Sequence, residues 1–138
     1  MTGYLIDTNV LSELRKGARA DRGVTGWFRS SNGDDMHVSV LTAGELQNGI
    51  ERLRRRDAQS AVVLEAWLSE VVDTFEDRIL PVDLDVARVW ATLGVPDPVP
   101  VIDGLLAATA RCHGLTMVTR NVTHFRTAGV DVLNPFSD

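Results

Sequence analysis

The chain has 138 residues, 44% of them hydrophobic and 24% charged, with a single cysteine and a net charge of −5. This suits one globular domain across 1–138 and excludes disordered, fibrous and disulfide-scaffold classes. No apolar stretch approaches the roughly 18 residues a membrane span needs, and the first residues form neither a basic segment nor an apolar signal core, so a cytoplasmic protein with no membrane partner is expected.

Tyr4-Leu5-Ile6 is a short apolar run ending in Asp7-Thr8-Asn9, a cluster of helix-capping residues, after which Val10, Leu11 and Leu14 recur at helical spacing. The pattern predicts strand, turn, helix. A short helix follows over Arg22 to Arg29 around Trp27 and Phe28, then a polar turn from Ser30 to Asp35. His37 to Leu41 alternates and is β-branched, as a second strand should be. Thr42 then opens a helix with Leu46, Ile50 and Leu53 along one face, which ends in the run Arg52, Arg54, Arg55, Arg56. That run is either a solvated helix end or a phosphate-binding patch.

From Asp57 to Phe75 a helix carries Leu64, Trp67, Leu68, Val71 and Phe75 as a stripe for the core or a dimer surface. Arg78 to Val82 is a third strand, and Pro81 suggests an edge or a strand end. Asp83 caps a helix with Val86, Val89, Trp90 and Leu93 inward, and Pro96, Pro98 and Pro100 stiffen the loop after it. A helix from about Ile102 to His113 stops at Gly114, followed by strands at Leu115 to Thr119 and Val130 to Leu133. Strands alternating with helices imply an α/β fold, a three-layer α/β/α sandwich with a mostly parallel five-stranded sheet.

In such sheets ligands bind beyond the carboxyl ends of the strands. Asp7 follows the first strand, Glu45 sits in the first turn after the second, and Thr119, Arg120 and Asn121 follow the fourth. Asp103 opens the helix that feeds the fourth strand, and helix direction alone is expected to put it at the opposite end. Each residue also has a plain structural role. Asp7 can cap, Thr42-Ala43-Gly44-Glu45 fits a capping box, and Asp103 can stabilise a helix dipole. Capping alone does not account for Asp7 directly behind an apolar strand. Carboxylates gathered there repel and raise at least one pKa unless a cation is bound, and hard oxygen donors favour Mg²⁺ or Mn²⁺. These residues point to a metal-dependent phosphodiester or phosphoryl enzyme.

Leu5-Ile6-Asp7-Thr8-Asn9-Val10, Ala43-Gly44-Glu45-Leu46, Asp103 with Leu105-Leu106-Ala107-Ala108, and Thr119-Arg120-Asn121 together resemble the PIN-domain ribonucleases. Within them the chain is most similar to VapC toxins of bacterial toxin-antitoxin pairs, in the FitB-like branch, over essentially its whole length. The resemblance implies that Asp7 and Asp103 bind Mg²⁺, with Mn²⁺ able to substitute, that Glu45 completes an acidic pocket, and that Asn121 fills a fourth position often held by aspartate. It puts Asp103 on the acidic edge. It also implies hydrolysis of structured RNA, transfer or ribosomal, by water activated at the metal, which inhibits translation and growth until the antitoxin intervenes. Thr8 and Thr119 can orient water or phosphate, with capping the competing role for Thr8, and Arg120 either holds an RNA phosphate or is a plain surface residue. A homodimer and a VapB-like antitoxin are implied as well, with operator DNA reached only through the antitoxin. The family commonly carries Asp-Phe where this chain has His124-Phe125, and His124 is expected to pack or face solvent.

The net charge is unusual for binding nucleic acid by charge neutralisation alone, but its distribution is uneven. Residues 1–56 hold nine Lys or Arg against seven Asp or Glu, and residues 57–138 hold five against twelve. Asp83-Leu84-Asp85 mimics the nucleophile motif of haloacid-dehalogenase-type phosphatases, yet those enzymes need a downstream lysine and the sole lysine is Lys16. Cys112 beside His113 makes no zinc site and is expected to be buried packing. The remaining alternative is a noncatalytic PIN-like subunit that controls transcription with a DNA-binding partner.

Overall fold

The computed structural model describes residues 3–137. Strands β1 (Gly3–Ile6), β2 (Met36–Ser39), β3 (Ile79–Leu80), β4 (Leu115–Val118) and β5 (Val132–Leu133) pair in the order β3-β2-β1-β4-β5, every pairing parallel. The helices are α1 (Thr8–Leu14), α2 (Arg22–Ser30), α3 (Val40–Arg54), α4 (Ala58–Phe75), α5 (Leu84–Leu93), α6 (Val101–His113) and α7 (Val122–Thr127). Strand β3 is an edge but is only two residues long, shorter than the expected Arg78 to Val82, and Pro81 lies just past its end.

The chain steps outward from β1 through β2 to β3, then returns to lay β4 on the other side of β1. This reversal makes the β1/β4 boundary the switch point of the sheet, where the crossovers diverge and leave a crevice at the carboxyl ends. The two strands are in register from Gly3 against Leu115 to Ile6 against Val118, and the Asp7 N–H continues the ladder onto the Val118 carbonyl at 2.9 Å.

Side-chain alternation along the central strands divides the core in two. Ile6 and Val118 face a cluster with Val10, Leu11, Val24, Met36, Val38 and Phe75, supplied by α1, α2, β2 and α4. Leu5 and Met117 face the opposite layer, where Leu106, Ala107 and Ala110 of α6 meet Phe125 of α7. A smaller cluster of Ile50, Ala61 and Leu68 joins α3 to α4.

Three local expectations change. Ser39, not Thr42, caps α3 by accepting from the Leu41 N–H at 3.0 Å, so the helix begins at Val40 and Thr42 lies fully buried inside its first turn. Helix α7 replaces what reads in sequence as connection; it is six residues long and pinned by the fully buried Phe125. Cys112 is exposed near the end of α6 instead of packed. The caps at Asp21, Asp57 and Asp83 each accept from an N–H three residues on, and Gly114 ends α6 in the left-handed region at φ 63°.

Candidate active site

The carboxyl edge collects buried polar side chains. Of the five buried polar residues described, Asp7, Ser39, Thr42 and Thr119 lie at or just past the ends of β1, β2 and β4. Asp7 caps α1 by accepting from the Thr8 N–H at 2.8 Å through Oδ1, while its Oδ2 accepts from the Thr119 hydroxyl at 2.8 Å and from the Asn9 amide at 3.4 Å. Thr119 also accepts from the Asn121 N–H at 2.9 Å, and Asn9 Oδ1 accepts from the Arg120 N–H at 3.3 Å. The turn after β4 is thereby tied to the start of α1. Asn9 is the central link in this knot, and in sequence it reads only as one member of a capping cluster.

Glu45 is not engaged in a capping box. Its Oε1 accepts from the Thr8 hydroxyl at 2.8 Å, which draws the α3 carboxylate toward the start of α1. With α3 opening at Val40, Glu45 projects from its second turn, past the N–H groups that need a cap.

Asp103 lies in the first turn of α6, half-buried, with its charge felt at Asp7. The expectation from helix direction is corrected: α6 passes through Gly114 straight into the start of β4, so its other end lies at the carboxyl edge. Gly104 lets this first turn approach α5, because a Cβ there would come within 2.9 Å of Val99 and 3.0 Å of Trp90. His124 faces solvent, one of the two settings expected for it, and it also makes a contact. Its Nδ1 lies 2.9 Å from Asp103 Oδ2, a contact between α7 and α6 with no local sequence signal.

Burial pushes the Asp7 carboxyl above its ordinary range; the Thr119 hydroxyl and Thr8 N–H oppose this, and the charges of Glu45 and Asp103 add to it. Asn121 sits exposed at the head of α7, its side chain making no capping bond. Arg120 is exposed, with its guanidinium carbon 3.8 Å from the centroid of the Phe136 ring.

The acidic donors are all oxygens, which suits a hard divalent cation. Among the described residues no three His, Cys, Asp or Glu side chains already converge at metal-binding spacing. The set therefore fits an ion held by one or two carboxylates that keeps several of its own waters, as Mg²⁺ does. From Thr8 and Glu45 a cleft of about 350 Å³ runs between α1, α3 and α4, with Leu46, Ile50 and Trp67 in its lining and Arg15 and Arg56 exposed in its wall.

Among known proteins, the chain is 34% identical over 141 residues to VapC ribonuclease Y4jK of Sinorhizobium fredii, covering 96% of both. It is 34% identical over 139 residues to Toxin FitB of Neisseria gonorrhoeae, covering 97% of this chain and 99% of the relative. The fold superposes on a structure of FitAB bound to an IR36 DNA fragment with a TM-score of 0.85 at 31% identity, covering 96% of this chain and 94% of that one. The PIN domain matches residues 4–130, spanning β1 through α7 with Asp7, Glu45, Asp103 and Asn121 inside it, and the chain belongs to the PIN domain family.

Proposed function

We propose that this chain is a Mg²⁺-dependent endoribonuclease, the toxin of a VapBC-type pair, acting on structured RNA of the transfer or ribosomal kind in the cytoplasm. The observation that carries it is Asp7: a carboxylate 5% exposed at the sheet switch point, pushed toward its neutral form and facing the charges of Glu45 and Asp103. Such a cluster opposes folding unless a cation joins it, and sites of this kind concentrate where function is.

Asp7 and Asp103 would hold the ion, Glu45 would complete the acidic pocket, and Asn121 would add an uncharged oxygen at its margin. When bound, the ion lowers the pKa of water and neutralises charge that builds on a phosphodiester under attack. The chain's own contribution is orientation. The Thr119 hydroxyl fixes one oxygen of Asp7, the Thr8 hydroxyl fixes one of Glu45, and Asn9 ties the Arg120 turn to the start of α1. Arg120 stands at that turn to meet an RNA phosphate, and Arg15 and Arg56 in the cleft would take further backbone phosphates. Local cations of this kind let a protein of net charge −5 bind RNA, and they make the binding salt-sensitive.

Likeness to FitB, and to a FitAB assembly on DNA, supports a VapB-like antitoxin as partner, a homodimeric toxin, and operator DNA reached through that antitoxin. No helix among the described residues is long and apolar enough to cross a membrane. The test is incubation of the purified, partner-free chain with total bacterial RNA in Mg²⁺ or Mn²⁺, with a chelator and Asp103→Asn as controls. Discrete fragments that vanish in both controls are expected. Intact RNA with folded protein would overturn the ribonuclease reading in favour of a regulatory subunit.

A further inference from the structure

The acidic edge carries one contact that hydrolysis by the three carboxylates does not require. Nδ1 of His124 is 2.9 Å from Oδ2 of Asp103, and the Asp103 side chain makes no other hydrogen bond among the described residues. One carboxylate oxygen is therefore engaged, and the other is bonded to no described residue. A carboxylate held this way loses less rotational freedom when it takes a cation, and the partner that holds it commonly sets metal affinity.

The mounting of both residues is rigid. Phe125, next to His124, is fully buried in the same cluster as Leu106 and Ala107, three and four residues beyond Asp103 on α6. The Thr127 hydroxyl donates to the Thr123 and His124 carbonyls, which consolidates the single turn that presents the ring. The His124 side chain is itself 56% exposed, so its own packing contributes little to the fold. An exposed histidine held over a half-buried carboxylate by a buried neighbour is placed for that carboxylate.

We propose that His124 is a positioning residue for the divalent cation: its Nδ1–H donates to Asp103 Oδ2 and orients the carboxylate so that Oδ1 addresses the ion. The proposal rests on the metal-dependent reading above. The His124–Asp103 pair is built into this chain by α7, and it raises cation affinity without contributing a ligand.

The test is Mn²⁺ binding by the full-length, partner-free chain without RNA, read as loss of the paramagnetic resonance of the free ion at pH about 8. It uses wild type, Asp103→Asn, His124→Ala and His124→Asn, each checked for an unchanged melting temperature. Asparagine places an amide donor near the position of Nδ1, so His124→Asn keeps the hydrogen bond and removes the ring. Loss of binding on His124→Ala by about tenfold, within the 10–100-fold range for partners of metal ligands, with recovery of most of it in His124→Asn, is the expected result. Unchanged or tighter binding in His124→Ala, or an asparagine variant as weak as the alanine one, overturns the proposal while a weakened Asp103→Asn leaves the metal site standing. A wild type that binds no Mn²⁺, or an Asp103→Asn that binds as wild type does, overturns both.

Discussion

The two ends of α3 hold carboxylates in opposite electrostatic settings. Glu45, near its start, faces Asp7 and shares the edge with Asp103, so like charges meet at a buried position, where the imidazole of His124 is bonded to Asp103. Six residues on, Glu51 is bonded by Arg54 at 3.0 Å and by Gln47, and Arg54 reaches across to Glu65 on α4 at 3.0 Å. The consequences run in opposite directions. Asp7 is pushed up by burial and by its acidic neighbours, whereas Glu51 is pulled down by the Arg54 and Gln47 hydrogen bonds. One helix thus carries a carboxylate at a site whose charge is unbalanced and another whose charge is fully matched. Unmatched carboxylate oxygens suit a hard cation, whereas those of Glu51 are already engaged by Arg54 and Gln47.

The widest separation between the two ends should appear in catalysis. Asp7→Asn or Asp103→Asn should lower RNA cleavage by at least about 10²-fold, the scale on which loss of one transition-state-stabilising group is felt. Glu51→Gln should leave it unchanged in the same fragment assay, and equal losses at both ends would erase the distinction. A smaller effect is expected along the cleft. Arg15→Gln with Arg56→Gln should weaken RNA binding by roughly tenfold, and the slope of log affinity against log salt should become shallower by about 1.4 if each contact releases the counterions of one single-strand phosphate. Fluorescence anisotropy with labelled transfer RNA across a salt series reads both quantities.

How far the sequence reaches follows the same division. The core strands were legible because Leu5-Ile6 and Met117-Val118 are unbroken apolar pairs, and Asp7 was legible because a carboxylate directly behind such a pair is unusual. Glu45 was ambiguous because Thr42 stands three residues before it at capping spacing. Only the register of α3, set by Ser39, shows that this pairing is not used. Asp103 needs family likeness in sequence, because its place at the carboxyl edge follows from the passage of α6 through Gly114 into the start of β4. Helix α7 and the role of His124 were out of reach. Val122 to Thr127 offers only Val122 and Phe125, too short a run to establish a helical period, and the His124–Asp103 contact joins positions 21 residues apart through tertiary packing.

Stability offers a subtler contrast between charge at the edge and charge in the helical hairpin that α3 forms with α4. Asp7 has its folded pKa raised, so its contribution to stability is complete below the unfolded carboxylate range near pH 4 and is lost as pH rises through the folded value. At neutral pH the metal-free protein bears that cost. Asp7→Asn should therefore raise the melting temperature in chelator at pH 7 by about 3 °C, what roughly 1 kcal/mol produces in a domain of this size, and the gain should vanish toward pH 3. Thr42→Val should add about 2 °C at any pH, because the Thr42 hydroxyl is buried with no hydrogen-bond partner among the described residues and the valine side chain has its shape.

The hairpin end should respond least of all. Arg54 pairs with Glu51 and Glu65 together, and its own pKa is raised by those hydrogen bonds. Its side chain is nonetheless a third exposed and both partners are about half exposed, so solvent screens the attraction and three long side chains lose freedom to hold it. What joins α3 to α4 is Ile50 against Ala61 and Leu68. Arg54→Met, which keeps the aliphatic stem and discards the charge, should shift the melting temperature by no more than about 1 °C, and the difference should disappear in about 1 M salt, where the screening length falls to roughly 3 Å. A large, salt-resistant loss would mean that the matched charges hold the hairpin. The acidic edge would then not be the only place on α3 where charge decides an outcome.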